Sequence, residues 1–155
     1  MAMRPFKRSE PPSILAEHGE EWGRDFEESG NFHWHIDSGQ KVNHILLPAL
    51  KLQTQEHCSF CDGFPVSTIS NETIEHFHPK SKYPLKAFLW ENLYFCCDRC
   101  QTNKGEKFDD LLLRPDAVDY CFDDYFRWDL VSGELHANPN SSQENQDRAN
   151  ITIKL

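Results

Sequence analysis

Residues 58–61 read Cys-Ser-Phe-Cys and residues 97–100 read Cys-Asp-Arg-Cys, and these two stretches are the strongest structural signal in the sequence. In each stretch two thiols stand three positions apart, so that both can bind one metal ion. Two such knuckles complete a closed tetrahedral site, which is the usual form of structural zinc. The predicted zinc ligands are Cys58, Cys61, Cys97 and Cys100.

Other interpretations of the cysteines stay open. The four thiols could be reduced structural cysteines without a metal, and His57, which adjoins the first knuckle, could compete as a ligand. Cys96 has the wrong spacing to replace Cys97, and Cys121 stands alone among aromatic residues, as a buried small side chain would. In a reducing compartment, paired Cys-x-x-Cys spacing favours metal binding over disulfides.

Length and composition are those of one small domain. The chain has 155 residues, of which 38% are hydrophobic and 12% aromatic, and this is enough for one moderate core. No apolar run approaches the ~20 residues that a membrane span requires. Residues 1–9 are basic, but no apolar stretch follows them, so they do not have the pattern of a secretory signal. The sequence therefore predicts a cytoplasmic protein with no membrane association.

Charge is unevenly distributed along the chain. The formal net charge is −9, which argues against a protein that coats nucleic acid indiscriminately. Residues 75–107 nevertheless contain six basic and four acidic residues and are net positive. We expect nucleic acid to approach only where this segment faces it.

Two helices are predicted before the first knuckle, the first from end signals that include Ser13 as an N-cap and the second from apolar periodicity. The first covers residues 14–28 and ends at a Ser-Gly-Asn break. The second covers residues 42–52 and leads into the first cysteine. Pro48 either kinks this second helix or marks its true start.

Beyond the cysteines, a hairpin and two further helices are predicted. Residues 122–130 are rich in aromatics and predict a strand, followed by a turn and a return strand at residues 135–137. Ser141 or Ser142 would cap a last helix over residues 143–154. A helix over residues 100–112 would turn Phe108, Leu111 and Leu112 to the core and place Asn103 and Lys107 on another face.

The interval between the two knuckles is 35 residues, which predicts an inserted functional segment. Residues 75–82 read Glu-His-Phe-His-Pro-Lys-Ser-Lys, residues 92–93 read Asn-Leu, and residues 103–104 read Asn-Lys. With the second knuckle, this order resembles the HNH (ββα-metal) endonucleases in their zinc-stapled form, over residues 58–108. With Pro11 near the start, it resembles more narrowly the HNH nuclease subunit of Septu and related retron anti-phage systems.

The resemblance implies a role for each motif residue. Glu75 and Asn103 would hold a catalytic Mg²⁺ or Mn²⁺ ion, because carboxylate and amide oxygens suit a hard cation. His76 would be the general base that activates water, and Asn92 would brace the loop that carries this histidine. Adjacent residues of a strand point to opposite faces, so Glu75 and His76 can act together only if the strand ends there.

The motif departs from the family pattern at two positions and leaves some roles open. Position 75 is Glu where Asp is common, and position 103 is Asn where the family name implies His. His78 is an alternative ion ligand, a phosphate contact, or a residue without a catalytic role. His76 could be an ordinary, satisfied side chain. The predicted nucleic-acid contacts are Lys80, Lys82, Lys104 and Lys107, although a solvated loop also accounts for Lys80 and Lys82.

The predicted fold is α+β. A small zinc-stapled ββα-metal core occupies residues 58–112. An N-terminal arm and helices occupy residues 1–57. A C-terminal hairpin and helix, in the same domain, occupy residues 113–155.

The leading functional prediction is a metal-dependent endonuclease that hydrolyses phosphodiester bonds, with DNA favoured and RNA such as tRNA as the alternative substrate. By the resemblance, it would be the effector of an ATPase-controlled anti-phage complex. A reverse transcriptase and its multicopy single-stranded DNA would be further partners if it is retron-associated. The second prediction is a non-catalytic zinc-binding module that docks a partner protein or nucleic acid.

Overall fold

Three antiparallel hairpins and six α-helices make up residues 3–155, the part of the chain that the computed structural model describes. The helices are α1 (Ser13–Ser29), α2 (Val42–Gln53), α3 (Val66–Ile69), α4 (Asp98–Lys104), α5 (Phe122–Tyr125) and α6 (Gln143–Ile153). The strands are β1 (Ile36–Asp37), β2 (Gln40–Lys41), β3 (Glu72–His76), β4 (Leu93–Cys97), β5 (Phe126–Trp128) and β6 (Leu135–Ala137). Single 3₁₀ turns span Pro84–Lys86 and Trp90–Asn92. The predicted α+β class is confirmed.

The central hairpin pairs β3 with β4, in a register that runs from Glu72 opposite Cys97 to His76 opposite Leu93. All five residues of β4 are buried, and this strand continues directly into α4. The helix packs on β3, where the side-chain amide of Gln101 donates a hydrogen bond to the carbonyl of Ile74 at 2.9 Å. Two strands and a helix therefore follow one another in the order that the sequence predicted.

The first helix lies against the loop that joins β3 to β4. A Cβ added at Gly19 of α1 would stand 2.7 Å from the carbonyl oxygen of Phe88, and one at Gly23 would stand 2.8 Å from that of Leu85. Only glycine permits this approach, so α1 rests directly on the loop backbone. The predicted bounds of this helix are confirmed within a residue, and it ends at Gly30, where φ is +68°.

The second helix is confirmed as well. Val42, Leu46 and Leu50 recur at every fourth position of α2 and are buried. Pro48 lies inside α2, so the prediction that it marks the start of the helix is wrong. Among the helices of residues 3–155, none is both long enough and apolar enough to span a bilayer.

The C-terminal part differs from prediction in one element. The strand predicted over residues 122–130 is a short helix, α5, followed by the three-residue strand β5, because the two aspartates in the first turn favour a helix N-terminus. The return strand β6 pairs with β5 as predicted. The predicted last helix is α6, and its N-cap Ser142 accepts a hydrogen bond from the backbone N–H of Asn145.

The helix predicted over residues 100–112 is shorter and begins earlier. It ends at Lys104, because Gly105 adopts a φ of +46° and a ψ of −125°, which no helix continues. Leu112 is buried as predicted, whereas Leu111 is largely exposed. Asn103 and Lys107 therefore do not share one helix face.

Candidate functional site

Four cysteine thiols meet where β4 passes into α4. The Sγ atoms of Cys58, Cys61, Cys97 and Cys100 all lie within 4.8 Å of one another, and those of Cys61 and Cys97 are 3.9 Å apart. In a tetrahedral site with Zn–S bonds of about 2.3 Å, the sulfurs stand about 3.8 Å apart. The four predicted ligands are thus brought together, and their geometry fits a structural zinc ion.

Metal binding requires thiolates, and in the cluster without an ion only one thiol is favoured in that form, because hydrogen bonds between the thiols and burial raise the pKa of Cys58 and Cys100. The backbone N–H of Cys97 points to the Sγ of Cys58, and that of Cys100 points to the Sγ of Cys97, each at 3.5 Å. Hydrogen bonds from the thiols of Cys100 and Cys58 lower the pKa of the Cys61 thiol to about 2. The thiolate of Cys61 is therefore stabilised even without a bound metal ion.

The competing ligands lie outside the cluster. The imidazole of His57 is engaged at both nitrogens: Nδ1 donates to the carbonyl of Asp62 at 3.2 Å, and Nε2 accepts from Arg4 at 2.7 Å. Cys96 is buried, with its Sγ 3.2 Å from Oγ1 of Thr73. Cys121 is exposed rather than buried, so the expectation of a buried side chain there is wrong.

A cleft of about 260 Å³ opens beside the end of β3, and we call it the Glu75–His76 cleft. Its walls come from three parts of the chain. The end of β3 contributes Glu75 and His76, and the loop that follows contributes Pro79 and Lys80. The helix α4 and the turn after it contribute Gln101, Gly105 and Glu106. The segment before α2 contributes Phe32 and Trp34. The cleft thus combines a carboxylate, an imidazole, an ammonium and two aromatic rings.

His76 lines this cleft although it is only 6% exposed. Its Nε2–H donates a hydrogen bond to the carbonyl of Ala87 at 2.9 Å, which leaves the lone pair of the neutral ring on Nδ1. Burial, and to a smaller extent the positive charge of Lys80, lower the pKa of the imidazole to about 3. The ring is therefore neutral at physiological pH and has one fixed tautomer.

Glu75 is buried next to a cation. Its Oε1 lies 3.0 Å from Nζ of Lys104, and the side chain of Lys104 is fully buried. The same Nζ donates to the carbonyl of His76 at 2.6 Å. Burial raises the pKa of the Glu75 carboxyl, and the charge of Lys104 opposes that rise. Lys104 is therefore placed to neutralise Glu75, and it does not have the exposed position that the predicted phosphate contact would need.

Asn92 links the two ends of the β3–β4 loop. Its Oδ1 accepts a hydrogen bond from the backbone N–H of His78 at 2.7 Å. Its Nδ2 donates to the carbonyl of His78 at 3.1 Å and to that of Lys86 at 2.9 Å. The side chain is 1% exposed, so these bonds replace those that water would make. The loop that follows His76 is thus held by one buried amide.

His78 does not line the Glu75–His76 cleft. Its Nδ1–H donates to Oδ1 of Asn92 at 3.1 Å, and its ring packs against Phe108 at 4.5 Å and Tyr83 at 5.1 Å between centroids. Burial lowers the pKa of this imidazole. The sequence left three roles open for His78, and this placement favours the third, a packing residue without a catalytic role.

Asn103 is exposed and does not line the cleft, whereas Gln101 does. The two residues are two positions apart on α4, which turns them about 200° from each other around the helix. Nε2 of Gln101 donates to the carbonyl of Ile74, and its amide oxygen takes part in no hydrogen bond within residues 3–155. The cleft is therefore lined by the side-chain amide of Gln101 and not by that of Asn103.

Among the other predicted nucleic-acid contacts, Lys80 lines the cleft and Lys107 is exposed. Nζ of Lys82 donates to the carbonyl of Glu106 at 3.1 Å, and Ser81 donates to the Glu106 carboxylate. These bonds tie the loop after His76 to the turn after α4. Lys80 is thereby held at the mouth of the cleft.

Sequence reasoning missed Phe32, Trp34, Gln101 and Glu106. The two aromatic residues lie in a stretch too short to assign from periodicity. Gln101 directly follows Cys100 in the sequence, and this adjacency to the second knuckle was the signal that could have identified it as a site residue.

A stretch of 99 residues is 30% identical to Septu protein PtuB of Bacillus thuringiensis. The stretch covers 64% of this chain and 36% of that protein, so the chain spans little more than a third of the relative it matches. No model of a known protein family matches the chain. The chain is therefore similar to a Septu protein and has a four-cysteine cluster that can hold zinc.

Proposed function

We propose that this protein is a metal-dependent HNH endonuclease that hydrolyses phosphodiester bonds in nucleic acid. One observation carries the proposal: a neutral histidine of fixed tautomer stands beside a buried carboxylate in a cleft that also holds a lysine. A general base must present a lone pair to water. In His76 that lone pair is on Nδ1, because Nε2 is committed to Ala87.

In the proposed reaction, Nδ1 of His76 accepts a proton from water as the water oxygen attacks phosphorus. The bond from phosphorus to the 3′ oxygen breaks, and that oxygen takes a proton from solvent. The depressed pKa of His76 has burial and the charge of Lys80 as its causes. A phosphate that pairs with Lys80 adds negative charge to the cleft and raises this pKa toward the range of an effective base.

Oxygen donors in the cleft fit a hard divalent ion. The carboxylate of Glu75 keeps one oxygen free of Lys104, and Gln101 offers its amide oxygen. Glu106 adds a second carboxylate at the rim. Mg²⁺ and Mn²⁺ prefer such oxygens, and an ion bound there would supply charge stabilisation at the phosphoryl and leaving oxygens. We assign the ion to Glu75 and Gln101 in place of the predicted pair of Glu75 and Asn103.

The similarity to a Septu protein supports a role in anti-phage defence. We propose an ATPase subunit as the partner that controls cleavage, with a reverse transcriptase and its single-stranded DNA as further partners in a retron setting. DNA is the favoured substrate and RNA such as tRNA the alternative. Purification of the tagged chain from its native host, with assay of ATPase activity in the eluate, tests the partner.

Incubation of purified protein with plasmid DNA and with tRNA, each with Mg²⁺ or Mn²⁺, tests the nuclease. Cleavage should depend on the divalent ion and should fall by at least about 100-fold in His76→Ala, in line with the loss of a general base. His44→Ala is the matched control, because His44 lies on α2 and does not line the cleft. Equal cleavage by His76→Ala and wild-type protein would refute the catalytic assignment.

One observation favours a second candidate, a zinc-binding module without catalysis that docks a partner protein or nucleic acid. Within residues 3–155, the four cysteines are the one group of three or more His, Cys, Asp or Glu side chains close enough to share an ion. Absence of cleavage by the wild-type chain, with its partner supplied, would support this module.

A further inference from the structure

Phe32 and Trp34 form an aromatic wall in the Glu75–His76 cleft, and the proposed hydrolysis gives this wall no task. Both side chains are partly exposed. The indole of Trp34 lies 6.0 Å from the imidazole of His76 between centroids, and the two rings are within 21° of parallel. Phe32 meets the same imidazole edge to face at 5.6 Å. The wall therefore stands directly beside the proposed base.

The rings of Phe32 and Trp34 both pack against the buried ring of Phe88. Phe32 stacks on the buried Phe88 at 5.3 Å between centroids, and Trp34 meets the same ring edge to face at 5.8 Å. A ligand that stacks on this wall would not have to order it first, and the cost of ordering is one of the main costs of binding. The aromatic surface is thus already in a binding conformation.

An ammonium group completes the arrangement. Nζ of Lys80 lies 4.9 Å from the centre of the Phe32 ring and, within residues 3–155, takes part in no hydrogen bond or ion pair. Phe32 and Trp34 meet edge to face, with 5.3 Å between centroids and 79° between ring planes, so the surface for stacking is the exposed part of the indole of Trp34. An aromatic ring near an ammonium matches the two parts of a nucleotide, the base and the phosphate.

We propose that the wall is a base-stacking subsite and that the substrate is an unpaired nucleotide in a single-stranded segment; this rests on the proposed nuclease function. In a duplex the bases face inward, so the wall would meet only sugar and phosphate. An unpaired base can leave its own stack and lie on an aromatic ring. Pockets for drug-sized ligands measure about 300–1,000 Å³, so a cleft of about 260 Å³ suits one nucleoside.

Oligonucleotide binding tests this subsite without requiring cleavage. The full chain carrying His76→Gln is mixed with a single strand of about 12 nucleotides, a length within the usual single-strand site size, and with the same sequence as a duplex. One central base is 2-aminopurine, whose fluorescence is quenched when it stacks. DNA and RNA versions form separate arms, because both present an unpaired base to the wall.

We expect the single strand to bind at least tenfold more tightly than the duplex and its 2-aminopurine to be quenched. Trp34→Leu should weaken binding by about 5- to 150-fold, which corresponds to ~1–3 kcal/mol, and should abolish the quenching. Trp34→Phe should retain most of both effects. Trp128→Leu is the matched control, because Trp128 is half exposed on β5 and does not line the cleft.

Equal affinity for duplex and single strand, unchanged quenching in Trp34→Leu, or no binding of either form would overturn the subsite. Thermal unfolding of Trp34→Leu and Trp34→Phe separates lost binding from lost folding. The nuclease proposal fails separately: wild-type protein that stacks the probe and, with Mg²⁺ and its partner supplied, cleaves no strand would refute catalysis alone. Cleavage of duplex that is insensitive to Trp34→Leu would refute the subsite alone.

Discussion

The ammonium of Lys104 lies 3.0 Å from Oε1 of Glu75, and the two side chains are 0% and 9% exposed. The same ammonium donates to the carbonyl of His76. A charge removed from water costs several kcal/mol unless a partner compensates for it. One side chain of α4 therefore fixes both the carboxylate and the backbone at the centre of the cleft.

Replacing Lys104 by Met should lower the free energy of unfolding by about 3–5 kcal/mol, because Glu75 would keep a buried charge without its partner. Urea denaturation measures the loss. Lys107→Met, at an exposed position, is the matched control and should stay within about 0.5 kcal/mol of wild type. The double variant Lys104→Met/Glu75→Gln should recover part of the loss. If Lys104→Met is as stable as the control, the buried pair does not exist in solution.

Stability should fall as the pH is lowered from about 6.5, because of His76. Burial lowers the pKa of this imidazole from 6.5 to about 3, so between these values the unfolded chain binds more protons than the folded protein. The free energy of unfolding therefore rises with pH by about 1.4 kcal/mol per unit in this range. The stability that depends on a neutral His76 is fully present above pH 6.5 and is lost progressively as the pH falls toward 3.

Comparison with His76→Phe isolates that contribution from other titrating groups. The stability difference between wild type and variant should shift by about 2 kcal/mol between about pH 7 and pH 5, to the disadvantage of wild type. Urea denaturation at both values provides the measurement. A difference that stays constant with pH would mean that His76 is not buried as a neutral ring.

Removal of zinc should unfold the segment around the knuckles, since structural zinc contributes ~10 kcal/mol or more in small sites. Metal analysis of the purified, reduced protein should find one zinc per chain. Cys100→Ala should lose the metal and the near-ultraviolet circular dichroism of the native fold. Cys121→Ala, at an exposed thiol outside the cluster, should keep both. A folded, reduced protein free of zinc would contradict the metal assignment.

Asn92→Ala should destabilise the loop between β3 and β4. The substitution leaves the part-buried backbone N–H and carbonyl of His78 without their side-chain partner, and each unsatisfied buried group costs about 1–3 kcal/mol. It also removes one of the two hydrogen bonds to the carbonyl of Lys86. Hydrogen exchange should accelerate across residues 77–88 while β6 and α6 keep their protection. Asn145→Ala, which removes a side-chain amide on α6, serves as the control. Uniform exchange rates in the two variants would argue against the bracing role.

Gln101 and Asn103 can be distinguished as ion ligands by the divalent ion concentration that cleavage requires. Gln101→Ala should raise the Mg²⁺ concentration for half-maximal cleavage by about tenfold, the lower end of the range for a lost supporting group at a metal site. Asn103→Ala should raise it much less, because Asn103 is exposed outside the cleft. The reverse order would restore the ligand pair predicted from the sequence.

The elements that could be predicted are those encoded locally. The helices α1, α2 and α6 follow from apolar periodicity, a glycine stop and a serine cap, each of which acts within a few residues. The four cysteines could be predicted because the spacing within each knuckle is set by the metal rather than by the rest of the fold.

The details of the cleft could not be predicted in the same way. The early end of α4 depends on the conformation of Gly105. The packing of this helix on β3 brings Gln101 to the cleft and leaves Asn103 outside it. The burial of Lys104 depends on Glu75, 29 residues earlier in the chain. Phe32 and Trp34 reach the cleft only because α1 and α2 bracket the segment that carries them.

The glycine contacts of α1 bear on how far the domain can be trimmed. A fragment that began at residue 58 would keep all four thiols, Glu75 and His76. It would lack the helix that rests on the carbonyls of Leu85 and Phe88, on either side of the Ala87 peptide that holds the imidazole of His76. A fragment cut from this chain at the motif boundaries would therefore keep the proposed catalytic side chains without the helix surface that supports their loop.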